Sequence, residues 1–128
     1  MRRTRLSDVQ PVPADAAHFT GSAHRLDLHA VEDPPSGAIL VEFEPGARTH
    51  WHRHPAGQYL YVVNGRGLMQ YRGGEVEELV VGDCVYAAPG EEHWHGAGPT
   101  TSLSHLAFSF GVTEWVGPVE IDTQEAER

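Results

Sequence analysis

The stretch Gly46-Ala-Arg-Thr-His-Trp-His-Arg-His-Pro-Ala-Gly-Gln58 sets His50, His52 and His54 at alternate positions, with a glutamine four residues after the last. Alternate side chains of an extended strand point to one face. One short strand can therefore aim two or three imidazoles into the same interior. Imidazole is the commonest protein metal ligand and suits Zn, Cu, Fe and Ni. The rest of the chain reads as the wall of a pocket around this strand.

Outward from it, short strands alternate with turns. Ala38-Ile-Leu-Val-Glu-Phe43 precedes it as a strand ended by Glu44-Pro45-Gly46. Gln58-Tyr-Leu-Tyr-Val-Val63 follows, rich in β-formers, and Asn64-Gly65 reads as a hairpin turn. Gly67–Tyr71 and Val76–Val81 flank Arg72-Gly73-Gly74 as a second hairpin. Cys84–Ala87, a short piece at His93–Gly96, and Thr101–Phe110 complete the strands on this side. Upstream, residues 1–16 read as an irregular arm, Phe19–His29 alternates loosely as a strand, and Asp33-Pro-Pro-Ser-Gly37 reads as a turn. Trp115–Ile121 is expected to pack back on the barrel, and Asp122–Arg128 is a polar tail. No stretch shows a 3.6-residue period, and there is no internal repeat. Nine or ten short strands at regular spacing imply an all-β sandwich or closed barrel, of which jelly rolls and cupins are forms.

The bulk composition agrees. The chain has 128 residues, one domain's worth, and is 40% hydrophobic, enough for a core. Its 14 Gly and 9 Pro are spread along the chain rather than clustered. Net charge is −9, from 18 acidic and 9 basic residues, which disfavours nucleic acid and anionic membranes as partners. All the basic residues are Arg; the absence of Lys excludes Schiff-base chemistry and a lysine base. The single cysteine, Cys84, forms no internal disulfide and reads as an inert strand residue. With no apolar run after Met1-Arg-Arg-Thr-Arg-Leu6, the expected compartment is the cytoplasm.

Two motifs carry a resemblance. Gly46-x5-His52-x-His54-x3-Gln58-x6-Gly65 is similar to the first cupin motif, with Gln58 where most members carry Glu. Gly82-x7-Gly90-x2-His93 resembles the second, with Pro89 directly before Gly90 and Ala97 in place of the usual Asn. The resemblance implies a single cupin domain over 1–128, a double-stranded β-helix or jelly-roll-like barrel. Its barrel would run from about 19 to 112 and its C-terminal tail over 113–128. It implies His52, His54, Gln58 and His93 as ligands of a divalent transition metal. Manganese is favoured; iron, nickel, zinc and cobalt also suit the set. Because an amide carries no charge, the ion would keep nearly its full +2 and act as a strong Lewis acid.

Around the ligands, parity supplies a pocket. Leu103, His105, Ala107 and Ser109 share one strand face. If that face lines the barrel, His105 is a candidate base or a buried, hydrogen-bonded histidine. His95 shares parity with His93 and is expected to assist. Ile39, Val41, Phe43 and Leu60 form an apolar wall, as pocket lining or as ordinary core, and Thr49 stands at the mouth. His50, at the strand's start, reads as a rim or solvent-facing residue; His18, His24 and His29 have no assigned role, and Glu91-Glu92 reads as a solvated turn. Trp51, Tyr59, Tyr61, Trp94, Leu106, Phe108 and Phe110 fall on the opposite parity and need cover, from the arm or from a second copy in a homodimer.

Among cupins, Pro45–Gln58, Pro89–Ala97 and Pro99–His105 are most similar to small bacterial cupins with hydroxynitrile lyase activity; His50 and Arg53 depart from their pattern. The resemblance implies Lewis-acid polarisation of a small carbonyl or cyanohydrin with His105 moving a proton. The alternatives are an iron or manganese cupin dioxygenase and a non-enzymatic binding cupin. The expected partner in each case is a small molecule.

Overall fold

The computed structural model describes residues 1–120; residues 121–128, which include the expected polar tail, lie outside the described residues. Among the described residues, a 3-10 turn, Leu6–Asp8, precedes twelve strands. These are β1 (Val12–Pro13), β2 (Phe19–Thr20), β3 (Ala23–Glu32), β4 (Pro35–Phe43), β5 (Arg48–Thr49), β6 (Trp51–Arg53), β7 (Gln58–Tyr71), β8 (Glu77–Val80), β9 (Cys84–Ala87), β10 (His93–Ala97), β11 (Leu103–Phe110) and β12 (Glu114–Gly117).

They form two sheets that share β7. Its first half pairs with β11 and β9, continuing through β4 and β3 to β1. Its second half pairs with β10 and β8, and β10 pairs with β5 and β6. All these pairings are antiparallel. Curling one strand across two sheets wraps them into a half-barrel whose path runs from β1 to β2.

Asn64-Gly65 is where this happens, and it corrects the sequence reading of a hairpin. β7 runs straight through the pair. Gly65 has φ +79, and a Cβ there would stand on the Ser102 carbonyl, so only glycine fits. The register of β7 against β11 shifts one step away, between Ser104 and His105. A bend at a barrel corner uses the same residues as a tight turn, so dipeptide chemistry alone does not separate them.

Other boundaries also move. Pro35–Gly37 is strand, not turn, and pairs with Val31–Glu32 and Ala30 on β3. The expected strand Thr49–His54 is broken at His50 into β5 and β6. β12 pairs with β6, so barrel structure continues past residue 112.

The inner faces hold the core: Ala23, Val41, Phe43, Ala47, Val62, Leu79, Ala97 and Leu103. A second cluster, Trp51, Leu68, Val76, Trp94 and Val119, covers the outside of the second sheet. Trp51 and Trp94 are therefore buried by their own chain rather than by a second copy. Trp94 is fully buried, and its indole N–H donates to Gln70 Oε1 at 2.9 Å, which offsets the cost of burying that group. Tyr59, Tyr61, Phe108 and Phe110 on the outside of the first sheet are exposed, the surface for which the sequence reading expects cover from the arm or from a second copy. No helix among the described residues is long and apolar enough to cross a membrane.

Candidate metal centre and catalytic chamber

The register brings the histidines together. His93 on β10 lies opposite His52 on β6. His54 follows the end of β6, Gln58 begins β7, and Ser109 on β11 lies opposite Gln58. His95, two residues along β10, and His105 on β11 come from different sheets and face one another across the interior. All of His52, His54, Gln58, His93, His95 and His105 are buried.

The hydrogen bonds fix how the rings present themselves. His52 Nδ1–H donates to the His50 carbonyl at 2.8 Å, and His93 Nδ1–H to the Glu91 carbonyl at 2.9 Å. A neutral imidazole has one N–H, so the Nε2 of each keeps a free lone pair. His54 Nδ1 and Thr113 Oγ1 share a hydrogen bond at 3.2 Å. Gln58 Nε2 donates to Ser109 Oγ at 3.0 Å, which turns its Oε1 to within 3.0 Å of His93 Nε2.

These groups fit a divalent metal. With its N–H spent on Glu91, His93 Nε2 meets Gln58 Oε1 as one acceptor facing another, an arrangement that a cation relieves. His54 Nε2 and His95 Nε2 are buried without a partner, a costly state for polar atoms unless a ligand claims them. Ring centroids of His52 and His93 are 4.4 Å apart, those of His52 and His54 5.0 Å, and those of His54 and His93 5.5 Å. The tightest donor cluster among the described residues is His52, His93 and His95, with ligand atoms within 4.8 Å of one another. It shares His52 and His93 with the set expected from sequence, and it has His95 where that set has His54 and Gln58.

Burial lowers the pKa of every one of these histidines. It takes His54 to about 4, with the His93 charge adding to the effect, and His105 to about 4. It also lowers His93, and takes His52 and His95 well below the ordinary 6.5. The rings are therefore neutral at neutral pH, the form that ligates a metal or accepts a proton.

His105 Nε2 and His95 Nδ1 lie 3.0 Å apart, so the two rings share one hydrogen bond. His95 is held from behind as well: its backbone N–H donates to Thr49 Oγ1 at 3.2 Å. Phe43 packs on both rings, with centroids 6.1 Å from His95 and 5.4 Å from His105.

Two cavities meet at the cluster. A chamber of about 120 Å³ is lined by His54, Gln58, His95, His105, Ile39, Val41, Thr49, Ala107 and Ser109, together with Asp15, Phe19, Arg25, Thr113 and Trp115. A larger cavity of about 380 Å³ lies on the side of His93 and His95 and is walled by Leu60, Met69, Tyr71, Val85, Tyr86 and Ala87. Five of the seven pocket residues read from sequence thus line the small chamber. Leu60 lines the other cavity, and Phe43 belongs to the core, supporting the histidines from behind.

Three sequence readings are corrected. His50 is 8% exposed rather than solvent-facing: its backbone N–H donates to the His18 carbonyl at 2.8 Å beneath the arm, and its own carbonyl anchors His52. His18, given no role, lines the chamber and stacks on Trp115 at 4.2 Å. Glu92 is not a solvated turn residue: its half-sheltered carboxylate takes Arg53 at 2.9 Å and Arg72 at 2.6 Å. Arg72 in turn lies over the Trp51 ring at 3.7 Å, a cation–π contact. Glu92 thereby ties β6 to the segment leading into β10, next to His93.

The curled antiparallel sheet and the histidines drawn from both of its halves define the class, and the chain belongs to the cupin family: residues 39–106 match the cupin domain. Among particular proteins, it is 54% identical over 96 residues to a protein named (R)-mandelonitrile lyase from Granulicella tundricola, covering 74% of this chain and 72% of that one. A cupin-like protein from Thermotoga maritima superposes with a TM-score of 0.83 at 36% identity, over 98% of this chain and 92% of that one. An acetylacetone dioxygenase from Acinetobacter johnsonii shares the fold with a TM-score of 0.75 at 19% identity, over 99% of this chain and 89% of that one.

Proposed function

We propose that the chain is a metal-dependent lyase of the hydroxynitrile lyase type, cleaving or forming small cyanohydrins. The observation that carries this reading is the neutral His105–His95 pair, closed into a small chamber beside a metal site with no charged ligand. The 54% identical relative named (R)-mandelonitrile lyase supports it.

In this reading His52, His54, Gln58 and His93 hold a divalent metal, manganese by preference, with His95 at its edge. When bound, the ion supplies Lewis-acid polarisation of the substrate oxygen. The protein's own residues do the rest. Ile39, Val41 and Ala107 form the apolar floor on which the substrate's carbon body lies, and they limit the water that reaches it. His105 Nε2 accepts the proton of the cyanohydrin hydroxyl as that hydroxyl replaces His95 Nδ1 as its hydrogen-bond partner. The C–CN bond breaks, its electron pair leaves with cyanide, and the oxygen closes to a carbonyl. A nitrogen of pKa about 4 gives its proton up readily, so His105 returns it to the departing cyanide. Thr49 acts behind this pair, orienting His95 through its backbone.

The test is cyanide release from mandelonitrile and from lactonitrile by manganese-loaded protein. Release well above a metal-free control is expected with at least one of them. Rates equal to the control with both would sink the lyase reading.

A further inference from the structure

One cation on the chamber wall is left unused by this chemistry. Arg25 shares the parity of Ala23, a core residue, on β3, and its side chain, 38% exposed, lines the chamber at the solvent side. It lies opposite Val41 on β4, and Val41 lies opposite His105 on β11. At the usual strand spacing the backbones of Arg25 and His105 stand about 10 Å apart, with only Val41 between them. An extended arginine and a ligand of a few atoms fill that gap. Arg25 lines the same chamber as His54, Gln58, His95 and His105.

Nε donates to Asp27 Oδ1 at 2.7 Å in an exposed pair, which leaves Nη1 and Nη2 without a hydrogen-bond partner among the described residues. Of the nearby carboxylates, Asp27 pairs with Arg25, and Asp15, which also lines the chamber, accepts the Ala17 backbone N–H at 2.9 Å. The free end of a guanidinium matches a carboxylate in bidentate geometry. A divalent ion held by uncharged ligands would make the chamber net positive, in a chain whose overall charge is −9.

The chamber measures about 120 Å³ and is open to solvent, with room for a compact ligand. We infer that the chain's own substrate is a small carboxylate-bearing carbonyl compound or its cyanohydrin, with its carboxylate held by Arg25 Nη1 and Nη2 and its reacting oxygen beside His105. The reaction rests on the lyase reading above; the carboxylate site rests on the placement of Arg25 alone.

Two measurements on the manganese-loaded protein test it. The first is calorimetric titration of wild type, Arg25→Gln and Arg25→Lys with pyruvate and with its uncharged isostere pyruvamide. Wild type is expected to bind pyruvate at least about tenfold more tightly, Arg25→Gln to lose that preference, and Arg25→Lys to keep part of it. The second is the ratio of kcat/KM for glyoxylate with cyanide to that for acetaldehyde with cyanide, expected to fall by about 10- to 100-fold in Arg25→Gln. Equal binding of pyruvate and pyruvamide by wild type would overturn the inference. So would a pyruvate preference that survives in Arg25→Gln, because the metal alone would then account for it. If the binding difference follows Arg25 while no cyanide turnover occurs with any substrate, the lyase reading fails and the carboxylate site stands.

Discussion

Replacing His105 with glutamine is expected to lower cyanohydrin turnover by about 10²–10⁴-fold, the range for removal of a positioned acid–base group, with bound metal unchanged. Glutamine keeps a polar head of similar reach and can still hydrogen-bond to His95 Nδ1, but it cannot accept and return a proton. The ring it replaces is fully buried, has its pKa lowered to about 4 by burial, and lies 3.0 Å from His95. The loss should fall on kcat more than on KM, because the substrate's carbon body rests on Ile39, Val41 and Ala107 in both proteins. Steady-state kinetics beside metal analysis of the same preparation read this directly. A variant that keeps full kcat would remove His105 from the chemistry, and one that loses its metal would make it a structural support of the site.

The metal-free protein is expected to lose stability steeply as pH falls from about 6.5 toward 4. Folded His105 and His54 titrate near 4, whereas the same groups in the unfolded chain titrate near the ordinary 6.5. Above 6.5 both states are neutral and these groups contribute no pH dependence. Between the two values the unfolded chain binds protons that the folded chain does not, so stability drops with falling pH. Below about 4 both states are protonated and the loss levels off. For His105 alone the full gap corresponds to roughly 3 kcal/mol, and His52, His93 and His95 are shifted in the same direction. Against a typical domain stability of about 5–15 kcal/mol, that is enough to lower the urea midpoint of the metal-free chain clearly by pH 4.5. Urea unfolding between pH 7.5 and 4.5 measures it. A midpoint that does not move with pH would show that the histidine rings are not buried neutral. Bound metal should hold the fold to lower pH, until protons displace it from the imidazoles.

How much of this was legible in the chain follows from how local each signal is. His52, His54 and Gln58 lie within seven residues, so parity and spacing expose them before any fold is known. His93 and His105 are distant in sequence, and only the strand pattern brings them into range. The same parity fails where the chain bends. Asn64-Gly65 carries the composition of a hairpin, yet β7 passes straight through it from one sheet to the other, and that depends on Ser102 lying against Gly65. His50 carries the parity of His52, but the break between β5 and β6 places it beneath the arm. His18, Thr113 and Trp115 reach the chamber from the chain's two ends, which no local pattern reports. The parity of Trp51 and Trp94 predicts that they need cover, and that cover comes from Leu68, Val76 and Val119 of the same chain.

The claim beneath all of this is that the buried imidazoles hold a metal. Elemental analysis of natively purified protein, beside a His52→Ala/His54→Ala variant handled identically, tests it most directly. The account predicts close to one divalent transition metal per wild-type chain and almost none in the folded variant. Wild-type protein with no stoichiometric metal, or a variant that retains the same metal, would contradict it.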